Sequence, residues 1–151
     1  MTLYFLAIAA LLCCMGAVLG LADQSLKVTT ALPNGAVSVT GTAIDLESTA
    51  EFLADVEFEV FAPALTVTQL GDTQTITYIV ETASEPTFSS PTTFISSLFV
   101  QTGAGGVGAA TNTKRFRLPT TTLRYVRIKA TKTGATNAST ASMIFKCLQL
   151  S

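Results

Sequence analysis

The hydrophobic pattern divides the chain near Ala22. Met1 to Ala22 contains no charged residue, and Leu3 to Leu21 is almost wholly apolar. As a helix, that run is long enough to cross roughly 30 Å of hydrocarbon. Beyond it the apolar positions recur with a period of two, the spacing of half-buried strands. Val56, Phe58 and Val60 alternate with Glu57, Glu59 and Phe61, and Ile76, Tyr78 and Val80 share one face of Thr75 to Thr82. Phe94 to Val100 predicts a further apolar strand. In Leu123 to Thr131, Val126, Ile128 and Ala130 alternate with Tyr125, Arg127, Lys129 and Thr131. Ala141 to Leu150 puts Met143, Phe145 and Cys147 on one face.

Turn residues punctuate these runs. Pro33-Asn34-Gly35 lies between Ser25 to Thr30 and Ala36 to Thr42. Proline fixes φ and Asn-Gly accepts positive φ, so an opening hairpin is expected there. Ser48 and Glu51 fit a capping box, which predicts one short helix or helical turn over Ser48 to Ala54. Ser84 to Thr93 carries Pro86 and Pro91 and reads as a surface loop or edge, because proline cannot supply ladder donors. A further edge strand is expected to end at Leu118-Pro119, followed by a threonine turn and a neighbouring basic strand. About eight strands at short spacing, without crossover helices, predict an all-β, jelly-roll-like antiparallel β-sandwich. The division expected is an apolar N-terminal segment, 1–22, and one sandwich domain, 23–151.

Charge alters the picture more than composition does. The net charge is −1, yet all ten acids lie between Asp23 and Glu85, and eight of the nine bases lie between Lys114 and Lys146. A basic half can signal nucleic acid. The aromatics near it, however, are only Phe116, Tyr125 and Phe145, and strand alternation can bury two of them. The preferred reading is complementarity, in which acidic strands meet basic strands across a sheet or a subunit interface and fix register. No nucleic-acid partner is expected.

Several chemistries are weighed and set aside. Glu57 and Glu59 share a strand face at roughly 7 Å by strand rise, a spacing found in inverting glycosidases. With no Trp in the chain and no aromatic platform near them, a solvated or salt-bridging strand face is the better reading. Gly103-Ala104-Gly105-Gly106-Val107-Gly108 matches GxGxxG, but a dinucleotide site needs a following helix and a downstream acid, and Lys114-Arg115-Phe116-Arg117-Leu118-Pro119 follows instead. A flexible loop is expected. The absence of histidine excludes Ser-His-Asp and Cys-His relays and His-ligated metals. Cys13, Cys14 and Cys147 form no disulfide framework or metal spacing and read as buried hydrophobes. Asn137-Ala138-Ser139 is a glycosylation sequon of the kind that arises often by chance. No catalytic residue, cofactor or metal site is expected, and the chain is read as a non-enzyme.

From about Leu46 onward the chain resembles the small β-sandwich decoration, or cement, proteins of tailed-bacteriophage capsids. The residues that carry the resemblance are Ile44-Asp45-Leu46, Leu70-Gly71-Asp72-Thr73 leading into Thr77-Tyr78, Thr82 to Phe88 with Ser90-Pro91-Thr92-Thr93, Phe116-Arg117-Leu118-Pro119, and Leu123 to Ile128. Their order, more than any one piece, carries the likeness. It implies a jelly-roll fold on the outer capsid surface of the virion, a homo-oligomer with a trimer favoured, and the major capsid protein as partner. The expected interface residues are Arg115, Arg117, Arg124, Arg127, Lys129, Glu57 and Glu59.

Residues 1–22 depart from that pattern and leave three readings open. They can be an export signal cut after Gly20-Leu21-Ala22, though the basic n-region is missing. They can be a membrane anchor, to which Gly16 to Gly20 lends a GxxxG spacing. They can also be an apolar arm buried in an assembly, which suits the resemblance best. The alternative function is an exported or membrane-tethered carbohydrate-binding or adhesion sandwich, because Arg124-Tyr125-Val126-Arg127-Ile128 also looks like a strand of discoidin-like carbohydrate-binding jelly rolls.

Overall fold

The computed structural model describes residues 26–47, 56–119 and 122–149. The apolar N-terminal segment with Cys13 and Cys14, and the helix expected over Ser48 to Ala54, lie outside the described residues. What is described contains nine strands and no α-helix. They are β1 (Lys27–Ala31), β2 (Ser38–Thr40), β3 (Ile44–Asp45), β4 (Val56–Ala62), β5 (Thr75–Ala83), β6 (Thr92–Thr102), β7 (Asn112–Phe116), β8 (Tyr125–Lys132) and β9 (Ser142–Gln149).

The strands form two antiparallel sheets, in the orders β1-β9-β4-β7 and β2-β8-β5-β6. β3 also pairs with β8, so β2 and β3 share one edge position: β2 opposes Thr131 to Lys129 and β3 opposes Val126 and Tyr125. Nine strands thus fill eight positions, and the interleaved orders are those of a jelly roll. The all-β sandwich expected from the sequence is the fold observed.

Alternation works as the pattern predicts where a strand is central. Phe58, Val60 and Ala62 of β4, Ile76, Tyr78 and Val80 of β5, and Val126, Ile128 and Ala130 of β8 are buried between the sheets. Met143 and Phe145 of β9 complete the layer. Phe58 stacks on Phe116 and Phe145 at ring-centroid distances of 5.8 and 5.5 Å. The Tyr78 hydroxyl donates to Gln101 Oε1 at 2.7 Å, and Gln101 Nε2 donates to the carbonyls of Pro63 and Ala110, so this polar pair crosses the core without an unmet group. Cys147 is half-buried, and burial pushes its thiol up to about 11.

Two expected neighbours are not neighbours. The opening hairpin is absent: β1 pairs with β9 in one sheet and β2 with β8 in the other. Leu32 and Pro33 between them are buried, so the turn carries the chain across the sandwich edge instead of folding it back. Likewise β7 and β8 do not form a basic hairpin. β7 is an edge of the first sheet, paired with β4, while β8 lies inside the second, paired with β5. In both cases a jelly-roll connection replaces the local pairing that turn residues suggest.

Two further expectations change in detail. β6 is longer than Phe94 to Val100 and forms an outer edge, with only Ile95, Leu98, Phe99 and Gln101 turned substantially inward. The glycine loop is held on both sides. Leu65 and Ala109 exchange backbone hydrogen bonds, and Gly106 N donates to Asp72 Oδ1 at 2.9 Å. Gly108 has φ of 92°, and a Cβ there would lie 2.0 Å from the Leu65 carbonyl oxygen, so only glycine fits.

Candidate interaction surface

Charged side chains stand on the outer faces of both sheets, because the inner positions of the same strands are apolar. In the first sheet, Glu59 of β4 lies directly opposite Arg115 of β7 on one side and Lys146 of β9 on the other. Its carboxylate accepts from Arg115 Nε at 2.8 Å and meets Lys146 Nζ at 2.7 Å, making a row of three charges across the sheet. Lys146 and Arg115 hold the Glu59 carboxyl below its ordinary value against the opposing effect of burial. Glu57, on the same face, lies 3.6 Å from Arg115.

In the second sheet, Glu81 of β5 lies opposite Arg127 of β8, with Lys129 on the diagonal. Glu81 is only 3% exposed, and its carboxylate accepts from Arg127 Nε and Nη2 at 2.9 and 2.7 Å and from Lys129 Nζ at 3.2 Å. Burial at an outward position is explained by Phe88, whose ring centre lies 4.0 Å from the Arg127 guanidinium carbon. Phe88 sits in the β5–β6 loop with φ of 51° and is buried. A third pair closes the strand mouth: Asp45 of β3 accepts from Arg124 Nε and Nη2, both at 2.8 Å. These bonds hold the Asp45 carboxyl down at about 2.

Six of the seven sequence-selected residues, Glu57, Glu59, Arg115, Arg124, Arg127 and Lys129, thus form ion pairs inside this chain. Arg117 forms no ion pair among the described residues and is exposed. Four acids of the first half, Asp45, Glu57, Glu59 and Glu81, are therefore matched to five bases of the second across the strands of one sandwich, where opposite charges at facing positions fix register. Sequence reasoning did not select Asp45, Glu81, Lys146 or Phe88. The first three carry the complementary charges, but only the register reveals which base each one faces.

The end of the sandwich beside the glycine loop has a different polar cluster. Lys132 is buried, and its ammonium donates to Gln74 Oε1 and to the carbonyls of Thr133 and Gly134 at 3.1, 3.3 and 3.0 Å. The single hydroxyl proton of Thr136 is shared between the same Gln74 oxygen, at 2.5 Å, and the Gln69 carbonyl, at 2.8 Å. Burial lowers the Lys132 pKa. Three neutral acceptors saturate the ammonium, so the group acts as a clamp between the strand ends.

No protein-family model matches the chain, and no curated protein matches it. Among solved structures, the xylan-binding module CBM15 is similar at 9% identity, covering 83% of this chain and 92% of that one, with a TM-score of 0.39. A Clostridium thermocellum xylanase 10B structure, CBM22-1 and GH10 modules with xylohexaose, is similar at 10% identity, 86% of this chain and a TM-score of 0.40. The present chain spans 27% of that xylanase chain. The VP2 subviral particle of infectious bursal disease virus is similar at 10% identity, covering 85% of this chain and 31% of that one, with a TM-score of 0.37. Carbohydrate-binding and viral capsid structures thus stand side by side at low similarity. The jelly-roll assignment rests on the strand order of the chain itself.

Proposed function

We infer that this chain is a non-enzymatic capsid decoration, or cement, protein, lying as a homo-oligomer on the outer surface of a phage head and reinforcing contacts between major capsid proteins. The observation that supports the reading best is the way the segments carrying the family resemblance contact one another. Ile44-Asp45-Leu46 is joined to Leu123-Arg124-Tyr125 by the Asp45–Arg124 pair and by Leu46 N donating to the Arg124 carbonyl at 2.9 Å. The Thr82 to Phe88 segment follows Glu81 and meets Arg127 through Phe88. Segments far apart in sequence are contact partners, as expected when a resemblance reflects a shared frame.

The distribution of apolar groups favours this reading over the sugar-binding one. Phe58, Tyr78 and Phe145 are core residues, and the exposed large hydrophobics among the described residues are Val37, Val67, Phe94, Val100, Val107 and Leu123. Five of these six are aliphatic, whereas a glycan platform calls for flat aromatic faces beside convergent polar groups. A rigid frame carrying several small aliphatic patches suits multivalent attachment, in which weak contacts on one oligomer act together. The test is cosedimentation of the full-length protein with purified heads, beside a panel of soluble glycans. Saturable head binding without glycan binding is expected; glycan binding with no head binding contradicts the reading.

A further inference from the structure

A sandwich of two open sheets has four edges, and three of them here are short, split or basic, while the fourth is long and irregular. β1 is five residues long and begins with Lys27. β7 is five residues long and contains Lys114 and Arg115. The β2/β3 edge is split into pieces of three and two residues. Short length, interruption and basic side chains all discourage edge-to-edge pairing. β6 differs: it is eleven residues long, Thr-Thr-Phe-Ile-Ser-Ser-Leu-Phe-Val-Gln-Thr, with no charge and no proline, and pairs only with β5. Phe94 and Val100 on it are 37% and 43% exposed.

The sequence of β6 is self-complementary about Ser97. Reversed upon itself around that residue, Thr92 meets Thr102, Thr93 meets Gln101, Phe94 meets Val100, and Ile95 meets Phe99. Polar faces polar and apolar faces apolar at all four of these pairings, and the two exposed apolar side chains face each other. Only Ser96 against Leu98 is mismatched. The pairing of β6 with β5 is irregular between the Tyr78 and Val80 positions and again between Val80 and Glu81. The first irregularity falls at Ser96 to Leu98, next to the centre of the palindrome. The second falls at Phe94, within the arm Thr92 to Ile95, while the other arm, Phe99 to Thr102, pairs with β5 without interruption.

The geometry points to β6 as the site where a second copy of this chain adds, antiparallel and two-fold about Ser97, so that the five-stranded sheets of two copies join. A two-fold contact is isologous, and each arm of one strand meets the opposite arm of its partner. Main-chain hydrogen bonds supply affinity along the edge, and the facing Phe94 and Val100 supply register. A dimer is the basic unit on this inference, where the resemblance implies a trimer. The inference rests on the assembly reading for its purpose, and its test is separate.

Self-association of the isolated full-length protein is measured by sedimentation velocity, with circular dichroism confirming the fold of each variant. The wild type is expected to dimerise. Phe94→Lys with Val100→Lys sets like charges opposite each other twice across the axis and is expected to raise the dimer dissociation constant by at least about 100-fold. Phe94→Lys with Val100→Glu sets opposite charges across the same axis and is expected to restore dimers, which an effect on folding alone would not do. Ser97→Cys is expected to form a disulfide-linked dimer on mild oxidation beyond the wild-type background. A monomeric wild type, or an oligomer indifferent to both double variants, overturns the inference. Head binding is scored separately, so failure of the cement reading and failure of the β6 contact are distinguishable.

Discussion

Glu81 of β5 and Arg127 of β8 face each other across the second sheet, and two guanidinium hydrogens, from Nε and Nη2, converge on a single carboxylate oxygen at 2.9 and 2.7 Å. Phe88 lies over the Arg127 guanidinium and Glu81 is buried, so a charge on the outward side of the sheet is removed from water. The value of such a pair appears when one partner is taken away, because the other stays buried and uncompensated.

Arg127→Ala is therefore expected to destabilise the fold by about 3 kcal/mol. Arg127→Lys should recover only part of the loss, since lysine has neither the planar fork nor the same stacking over Phe88. Urea unfolding of the two variants measures the difference. Equal stability of Arg127→Ala and wild type would show that Lys129 alone satisfies Glu81.

Arg117 separates interface effects from folding effects. It is exposed and forms no ion pair among the described residues, unlike the other six selected positions. Arg117→Glu is expected to leave the unfolding midpoint unchanged and to weaken head binding. Arg127→Glu should lower stability first, so any loss of assembly it causes does not identify an interface.

Acid is expected to destabilise the protein in two overlapping ranges. Glu59 and Asp45 both have folded-state pKa values below their ordinary values of 4.5 and 3.8, Glu59 through Lys146 and Arg115, and Asp45, at about 2, through Arg124. A depressed carboxyl contributes stability above its unfolded pKa and loses it as pH falls through the folded one. Thermal midpoints should therefore decline once pH drops below 4.5, the ordinary Glu59 value, and continue down to about 2, the Asp45 value. Glu59→Gln should flatten the upper part of that decline. An unchanged profile in Glu59→Gln would remove the Arg115-Glu59-Lys146 row from the account.

The glycine loop offers a steric test. Gly105 and Gly108 both have positive φ, but a Cβ at Gly105 meets open space, while at Gly108 it strikes the Leu65 and Thr66 backbone. Gly105→Ala should cost about 1 kcal/mol, from backbone conformation alone. Gly108→Ala should cost about 3 kcal/mol or more, because it also breaks the Leu65–Ala109 bridge. Equal costs in chemical denaturation would mean that the loop moves aside freely.

The strands legible in the sequence are those whose inner face is continuous. β4, β5 and β8 read correctly because Phe58, Val60, Ile76, Tyr78, Val126 and Ile128 are all core residues on a strict period of two. Pairing was not legible, since a jelly roll joins residues distant in sequence. Val28 faces Phe145, and Val39 faces Ala130, so the Asn34-Gly35 turn could not report that its flanking strands lie in different sheets. Phe88 was hidden for a related reason. It is buried within a Pro- and Ser-rich stretch that composition reads as surface, and only the register placing Arg127 beneath it explains its position. For the charges, the sequence indicated that acids and bases must meet, and the register shows where they do.

Capsid reinforcement by this sandwich is tested by the heat stability of heads with and without it. Heads lacking the protein should release their DNA at a lower temperature, and adding back the purified full-length chain should restore the higher one. Release at the same temperature with and without saturating protein would contradict the account.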